Sequence, residues 1–207
     1  MSRRLLAALA IVATTPFLAA SQQFTGQKPT TKLPAPVLLD TTGRFLAVIA
    51  RLGDDLYIAG QPTEQGLREL KEQGVTTVVN LRTPEEMQHI KFDEPALATS
   101  LGMKYIAMPM RGNGQFPYAP EAVTRFADAL RSANGKVLLH CTVAWRASNL
   151  WMAYLIKERG VSVDSALTSA RAINLMDEHH QGPGTMPVED FLGKRIPQLG
   201  HPSTSQN

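Results

Sequence analysis

Cys141 and Arg146 are the two residues in this chain whose types and spacing could do chemistry together. A cysteine thiolate is a nucleophile, and an arginine guanidinium grips an oxyanion through two parallel N–H donors. Thr142, Val143, Ala144 and Trp145 lie between them. Their backbone N–H groups would cradle an anion if the stretch ran into a helix N-terminus, where amides are unpaired and the helix dipole is positive. The expected roles are therefore Cys141 as nucleophile, Arg146 as clamp and residues 142–145 as substrate-binding loop. The plainer alternative is a buried cysteine at a strand end, with an arginine solvating the start of a helix.

The flanking residues supply the elements that such a loop needs. Val137, Leu138 and Leu139 form a short apolar run after the turn signal Asn134–Gly135, which predicts a buried strand. Beyond the loop, Ala147, Leu150, Trp151, Tyr154 and Leu155 recur at helical spacing. Met152, Ala153 and Ile156 make the other face apolar as well, so this helix should be nearly buried.

Earlier segments repeat the alternation. Residues 45–52 are apolar without a clear period, and Leu56–Tyr57–Ile58–Ala59 reads as a strand. Thr63 suits the N-cap of a helix that turns Leu67 and Leu70 inward and ends at Gly74. Residues 75–81 are a β-branched strand, and Pro84 starts a helical turn. A short helix over 96–101 closes at Gly102, a buried strand covers 105–108, and an irregular loop runs over 110–118. Pro120 opens a helix whose core face is Val123, Phe126, Ala127 and Leu130. Ser162 caps another helix, with Leu167, Ala170 and Ile173 inward, and residues 191–199 read as a last helical piece. Strands alternating with helices predict an α/β fold: a central, mostly parallel sheet of about four or five strands flanked by helices. The loops after the carboxyl ends of its strands would build the site.

Composition bounds the rest. The chain has 207 residues, enough for one domain of ordinary size. Arg3 and Arg4, an apolar run and then small residues near Ala20 make residues 1–21 a signal-peptide pattern, which implies export to the periplasm or beyond. Residues 22–44 read as a flexible lead-in, 45–199 as one domain and 200–207 as a tail. Removing residues 1–21 leaves 19 basic against 18 acidic side chains, a charge of +1. The basic composition is therefore no argument for nucleic-acid binding, and no stable membrane span is expected after processing. A single cysteine forms no internal disulfide.

The order of these pieces resembles the bacterial protein-tyrosine-phosphatase-like family, also called beta-lactamase-hydrolase-like, of the cysteine-phosphatase superfamily. The resemblance rests on Leu56–Tyr57–Ile58–Ala59–Gly60–Gln61–Pro62–Thr63, on residues 74–82 and 102–109, and on His140–Cys141 through Arg146 into Asn149–Leu150–Trp151. It implies a cysteine-phosphatase-like fold and hydrolysis of phosphate monoesters through a thiophosphate on Cys141. The departures are specific. Four residues, not five, separate Cys141 from Arg146, a spacing the narrower family uses and rhodanese-type sulfurtransferases also resemble. Ala147 stands where a Ser or Thr usually follows the arginine, leaving Ser148 or Thr142 as stand-ins, and Ala144 replaces a usual glycine. The resemblance places a general-acid Asp in the loop 111–118, which holds no carboxylate; Glu121 and Asp93 are the available substitutes.

Arg82 would bind the substrate anion or fix the Cys141 loop, or else serve structure by pairing with Glu85 or Glu86, and Arg111 is similar, with more weight on substrate contact. His140 would hydrogen-bond the loop and support the thiolate, or simply be buried. Trp151 reads as core, and Trp145 as shaping the pocket. His179–His180, beside Asp177 and Glu178, lack the spacing of a metal site and read as a solvated loop. Neither a metal nor a cofactor is expected. Three functions stay open: a phosphatase-like hydrolase acting on a phosphorylated small molecule or protein, a sulfurtransferase or persulfide-handling enzyme taking a sulfur donor, and an inactive phosphatase-like binding module.

Overall fold

The computed structural model describes residues 33–175 and 186–199. The signal-peptide stretch, most of the lead-in, His179–His180 with Asp177 and Glu178, and the tail all lie outside the described residues. The strands are β1 (Val37–Leu39), β2 (Ile49–Leu52), β3 (Leu56–Ala59), β4 (Val75–Asn80), β5 (Lys104–Ala107) and β6 (Lys136–His140). The helices are α1 (Glu64–Glu72), α2 (Pro84–Met87), α3 (Glu94–Ser100), α4 (Pro120–Ser132), α5 (Trp145–Lys157), α6 (Val163–Arg171) and α7 (Pro187–Leu192).

One mixed sheet carries the strands in the order β1-β2-β3-β6-β4-β5. The β3–β6, β6–β4 and β4–β5 pairings are parallel, and the β1–β2 and β2–β3 pairings are antiparallel. This is the α/β arrangement anticipated from the sequence, with one strand more than expected. The extra strand is β1, which pairs Val37–Leu39 with Arg51–Ile49 inside the stretch expected to be a flexible lead-in. Backbone pairing with β2 orders it although Val37 and Leu38 stay exposed.

Strand alternation divides the core. Tyr57, Leu138 and Val78 are register partners on one face, packed with Leu67 and Leu70 of α1 and Ala98 of α3. Ile58, Leu139 and Val79 are fully buried on the other, which α4 and α5 cover. α5 also packs against α6 and α7. Its residues from Arg146 to Leu155 are all buried, as expected of a helix apolar on both faces. Thr63 caps α1 by accepting from the Gly66 amide at 3.1 Å, and Gly74 leaves the helix at φ +92°.

Several local expectations need correction. β5 is not a buried strand. It lies at the sheet edge with β4 as its one partner, so Lys104 and Ala107 are exposed and Tyr105 and Ile106 only half-buried. α3 begins at Glu94, two residues early, because Asp93 caps it by accepting from the Ala96 amide at 2.9 Å. Leu130 is half-buried, and Ala122 and Ala129 widen the core face of α4 in its place. The last helix starts at Pro187 and stops at Gly193, whose φ of +64° ends it; only Pro197–Leu199 turns again, as a short 3-10 helix. Among the described residues no helix is long and apolar enough to cross a membrane.

Candidate active site

The carboxyl end of β6, the central strand, delivers Cys141 to a four-residue loop that runs into α5. The loop is held from outside by its carbonyls. Thr142 O accepts from the Gln61 amide at 2.9 Å, Val143 O accepts from Asn174 Nδ2, and Ala144 O accepts from the Ser148 amide at 2.8 Å and Ser148 Oγ at 2.9 Å. The peptides are trans, and a trans peptide sets each N–H opposite the preceding C=O. The N–H groups of Val143, Ala144 and Trp145 therefore turn away from those anchors. Together with the N-terminus of the 13-residue α5 they form a positive end suited to an anion. Cys141 is only 1% exposed, while Thr142, Val143 and Trp145 are half-buried.

Two backbone features allow this loop. Ala144 adopts the left-handed region at φ 67°, ψ −4°, directly before α5, the place of the glycine expected by resemblance. Gly60 pairs across from Val143. A Cβ there would lie 1.7 Å from Leu46 O and 2.9 Å from Thr142 O, so only a glycine lets the three backbones meet.

Arg146 is 8% exposed and heavily bonded. One terminal nitrogen donates to Met110 O at 2.7 Å, Glu86 Oε2 at 2.9 Å and Leu81 O at 3.2 Å. The other donates to Glu86 Oε1 at 2.7 Å and Thr142 Oγ1 at 3.1 Å. Glu86, which the sequence offered only as an ion partner for Arg82, is thus a site residue. It is aimed by a capping box: Thr83 Oγ1 accepts from the Glu86 amide at 3.3 Å, and Glu86 Oε2 accepts from the Thr83 amide at 2.8 Å. Burial opposes the Glu86 charge, but the bonds from Arg146, Thr83 and Thr142 outweigh it and hold the carboxyl at about 2. Burial likewise opposes the Arg146 charge, and Glu86 reverses the balance upward. The motif Thr83-Pro84-Glu85-Glu86 was the sequence signal for this residue.

Arg82 is a buried brace. It donates to Gln61 Oε1 at 2.5 Å and to Glu86 O at 2.7 Å, and burial pushes its guanidinium down against the pull of Glu86 and Glu94. Through Gln61, whose backbone amide holds Thr142 O, it braces the Cys141 loop; its partner in Glu86 is the backbone carbonyl rather than the carboxylate. Arg111 lies exposed on the loop before α4. Ser148 does not stand in for the missing hydroxyl, because its Oγ is spent on Ala144 O. Thr142 Oγ1, which donates to Glu86 Oε1 at 3.2 Å, is the hydroxyl beside Arg146. Asp93 is spent as the α3 cap, and Glu121 is an exposed residue in the first turn of α4. Tyr118, which the sequence did not single out, packs edge-on against Phe191 at 5.3 Å. Burial pushes its phenol up to about 12, with Arg146 opposing and Cys141 and Glu86 adding to the rise. Among the described residues no cluster of three His, Cys, Asp or Glu side chains could hold a metal.

Known proteins are similar to this chain. The PTP-NADK family, described as a DSP-PTPase phosphatase fused to NAD+ kinase, matches residues 52–186. The beta-lactamase hydrolase-like protein of Agrobacterium fabrum is 32% identical over 105 residues, covering 49% of this chain and 23% of that protein. Human dual specificity protein phosphatase 26 is 29% identical over 143 residues, covering 66% of this chain and 60% of that protein. The chain thus spans less than two thirds of either relative. Among solved structures, the DUF442 protein of Shewanella putrefaciens CN-32 is 28% identical, with a TM-score of 0.51 over 62% of this chain and 80% of that one. Pseudomonas aeruginosa TpbA, at 20% identity and a TM-score of 0.53, covers 80% of this chain and 93% of its own, a likeness of fold.

Proposed function

The chain belongs to the PTP-NADK family of DSP-PTPase phosphatases, and from that premise we propose that it is a cysteine-dependent hydrolase of phosphate monoesters. The observation that carries this reading is the loop itself. Cys141 sits at the end of the central strand, the loop carbonyls are tied outward, and Arg146 closes the loop with its guanidinium plane already set by Glu86.

In this reading Cys141 Sγ attacks phosphorus, an S–P bond forms, and the P–O bond to the alcohol or phenol breaks. The loop amides, with the Nε–H that Arg146 does not spend on Glu86, Met110, Leu81 or Thr142, hold the equatorial oxygens as charge develops on them. Water then attacks the thiophosphate and releases inorganic phosphate, returning the thiolate. Glu86 is ionised and bonded to Arg146, so its role is to aim the arginine rather than to donate a proton. With Asp93 spent on a cap and Glu121 exposed in the first turn of α4, no carboxylic acid among the described residues is placed for the leaving group, which favours substrates whose leaving groups depart as anions, aryl phosphates first. The substrate is a phosphorylated small molecule or protein. The Arg3–Arg4 and apolar N-terminal pattern supports export.

Phosphate release from p-nitrophenyl phosphate, compared between the native chain and Cys141→Ser, tests the proposal. Turnover should vanish in the variant. Release that persists there, or sulfur transfer from thiosulfate to cyanide with no phosphate release, would overturn it.

A further inference from the structure

Beneath the loop lies a chain of buried polar side chains that the reaction above does not use. His140 Nε2 is 2.8 Å from Glu94 Oε1, with both side chains at 0% exposure. They are close enough for an ion pair; burial opposes the Glu94 charge, but the contact with His140 holds the carboxyl down. Glu94 Oε2 accepts from Gln61 Nε2 at 2.5 Å. Gln61 Oε1 accepts from Arg82 at 2.5 Å, and Arg82 donates onward to Glu86 O at 2.7 Å. Glu86 then holds Arg146. The chain therefore starts at the residue before the nucleophile and ends on the arginine that closes the loop. Its members come from β6, α3, the β3–α1 turn, the β4–α2 turn and α2.

We propose that Glu94 is a positioning residue: by joining His140 to Gln61 and Arg82, it fixes the spacing between Cys141 and Arg146. The proposal rests on the reading of Cys141 as nucleophile. Stability alone is a poor reason for this arrangement, since buried ion pairs stabilise little more than apolar packing of equal volume.

The test is Glu94→Gln, which keeps the shape and removes the charge. Turnover of p-nitrophenyl phosphate is measured beside the thermal midpoint and a crystal structure of each form. A misplacement below an ångström should lower kcat by about 10- to 100-fold and leave KM within about threefold. The crystal structure should show Arg146 or the Cys141 backbone displaced from the native loop; the midpoint should fall as well, because one partner of a buried pair is lost, so turnover is read well below that midpoint, where the variant is fully folded. Should the variant not fold, Gln61→Met cuts the chain one link further on and is read in the same assays. Where both fold, their combined effect on kcat should be less than the product of the two, since they break one chain. Unchanged kcat, a loss confined to KM, or a lower midpoint with native kcat would overturn the proposal. If the native chain itself turns over no phosphate ester, the phosphatase reading fails. The crystal structures then decide this one: an undisplaced loop would overturn it.

Discussion

Replacing Glu86 with glutamine isolates the charge that holds Arg146. The Glu86 carboxyl titrates at about 2 against an ordinary 4.5, and its side chain is 18% exposed against 10% for Arg146. A difference of that size corresponds to about 3 kcal/mol of folding free energy. Because the folded value is the lower one, the contribution is complete above about pH 5 and fades as the pH falls toward about 2. Glu86→Gln should therefore cost about 3 kcal/mol at pH 7, since it leaves a buried guanidinium without its counter-charge, and progressively less in acid. Urea unfolding at pH 7, 5, 4 and 3, followed by the fluorescence of Trp145 and Trp151, measures the gap. A gap of equal size at pH 7 and pH 3 would refute the electrostatic reasoning and assign the loss to shape.

Gly60→Ala should cost more than about 3 kcal/mol, because its Cβ meets two backbone oxygens that no side-chain movement can relieve; a soluble variant with a native denaturation midpoint contradicts this. Ala144→Gly should fall within about 1 kcal/mol of the native chain. Relief of the left-handed residue is offset by the lost buried methyl and by a looser unfolded chain. A larger loss in calorimetry would show that the methyl packing dominates.

The strand, loop and helix around Cys141 were legible because each signal was local: an Asn-Gly turn, an apolar triplet and a 3.6-residue repeat. Thr63 and Pro84 announced their helices for the same reason. β1 was hidden because its order comes from backbone pairing with β2 and not from burial of Val37 or Leu38. Glu86 was overlooked because a carboxylate in a short helical turn resembles a solvated one; only the fold brings Arg146 to it from 60 residues away. Asp93 and Glu94 show the limit most plainly. They are adjacent acids, yet the exposed one caps a helix while its neighbour turns into the core toward His140. Which of two neighbours faces inward depends on the packing of α3, information that residue type does not carry.

The placement of β6 has a consequence for how the molecule is assembled. It is the last strand along the chain, yet it lies between β3 and β4. Until residues 136–140 arrive, β3 and β4 have no common partner, and the five earlier strands cannot form one continuous sheet. Closing that gap requires contacts far apart in sequence, which are slow to form. The same closing event sets Thr142 O on the Gln61 amide and brings Arg146 to Glu86. A chain interrupted before β6 therefore carries no half-built reactive centre: completion of the sheet and arming of the cysteine are a single step.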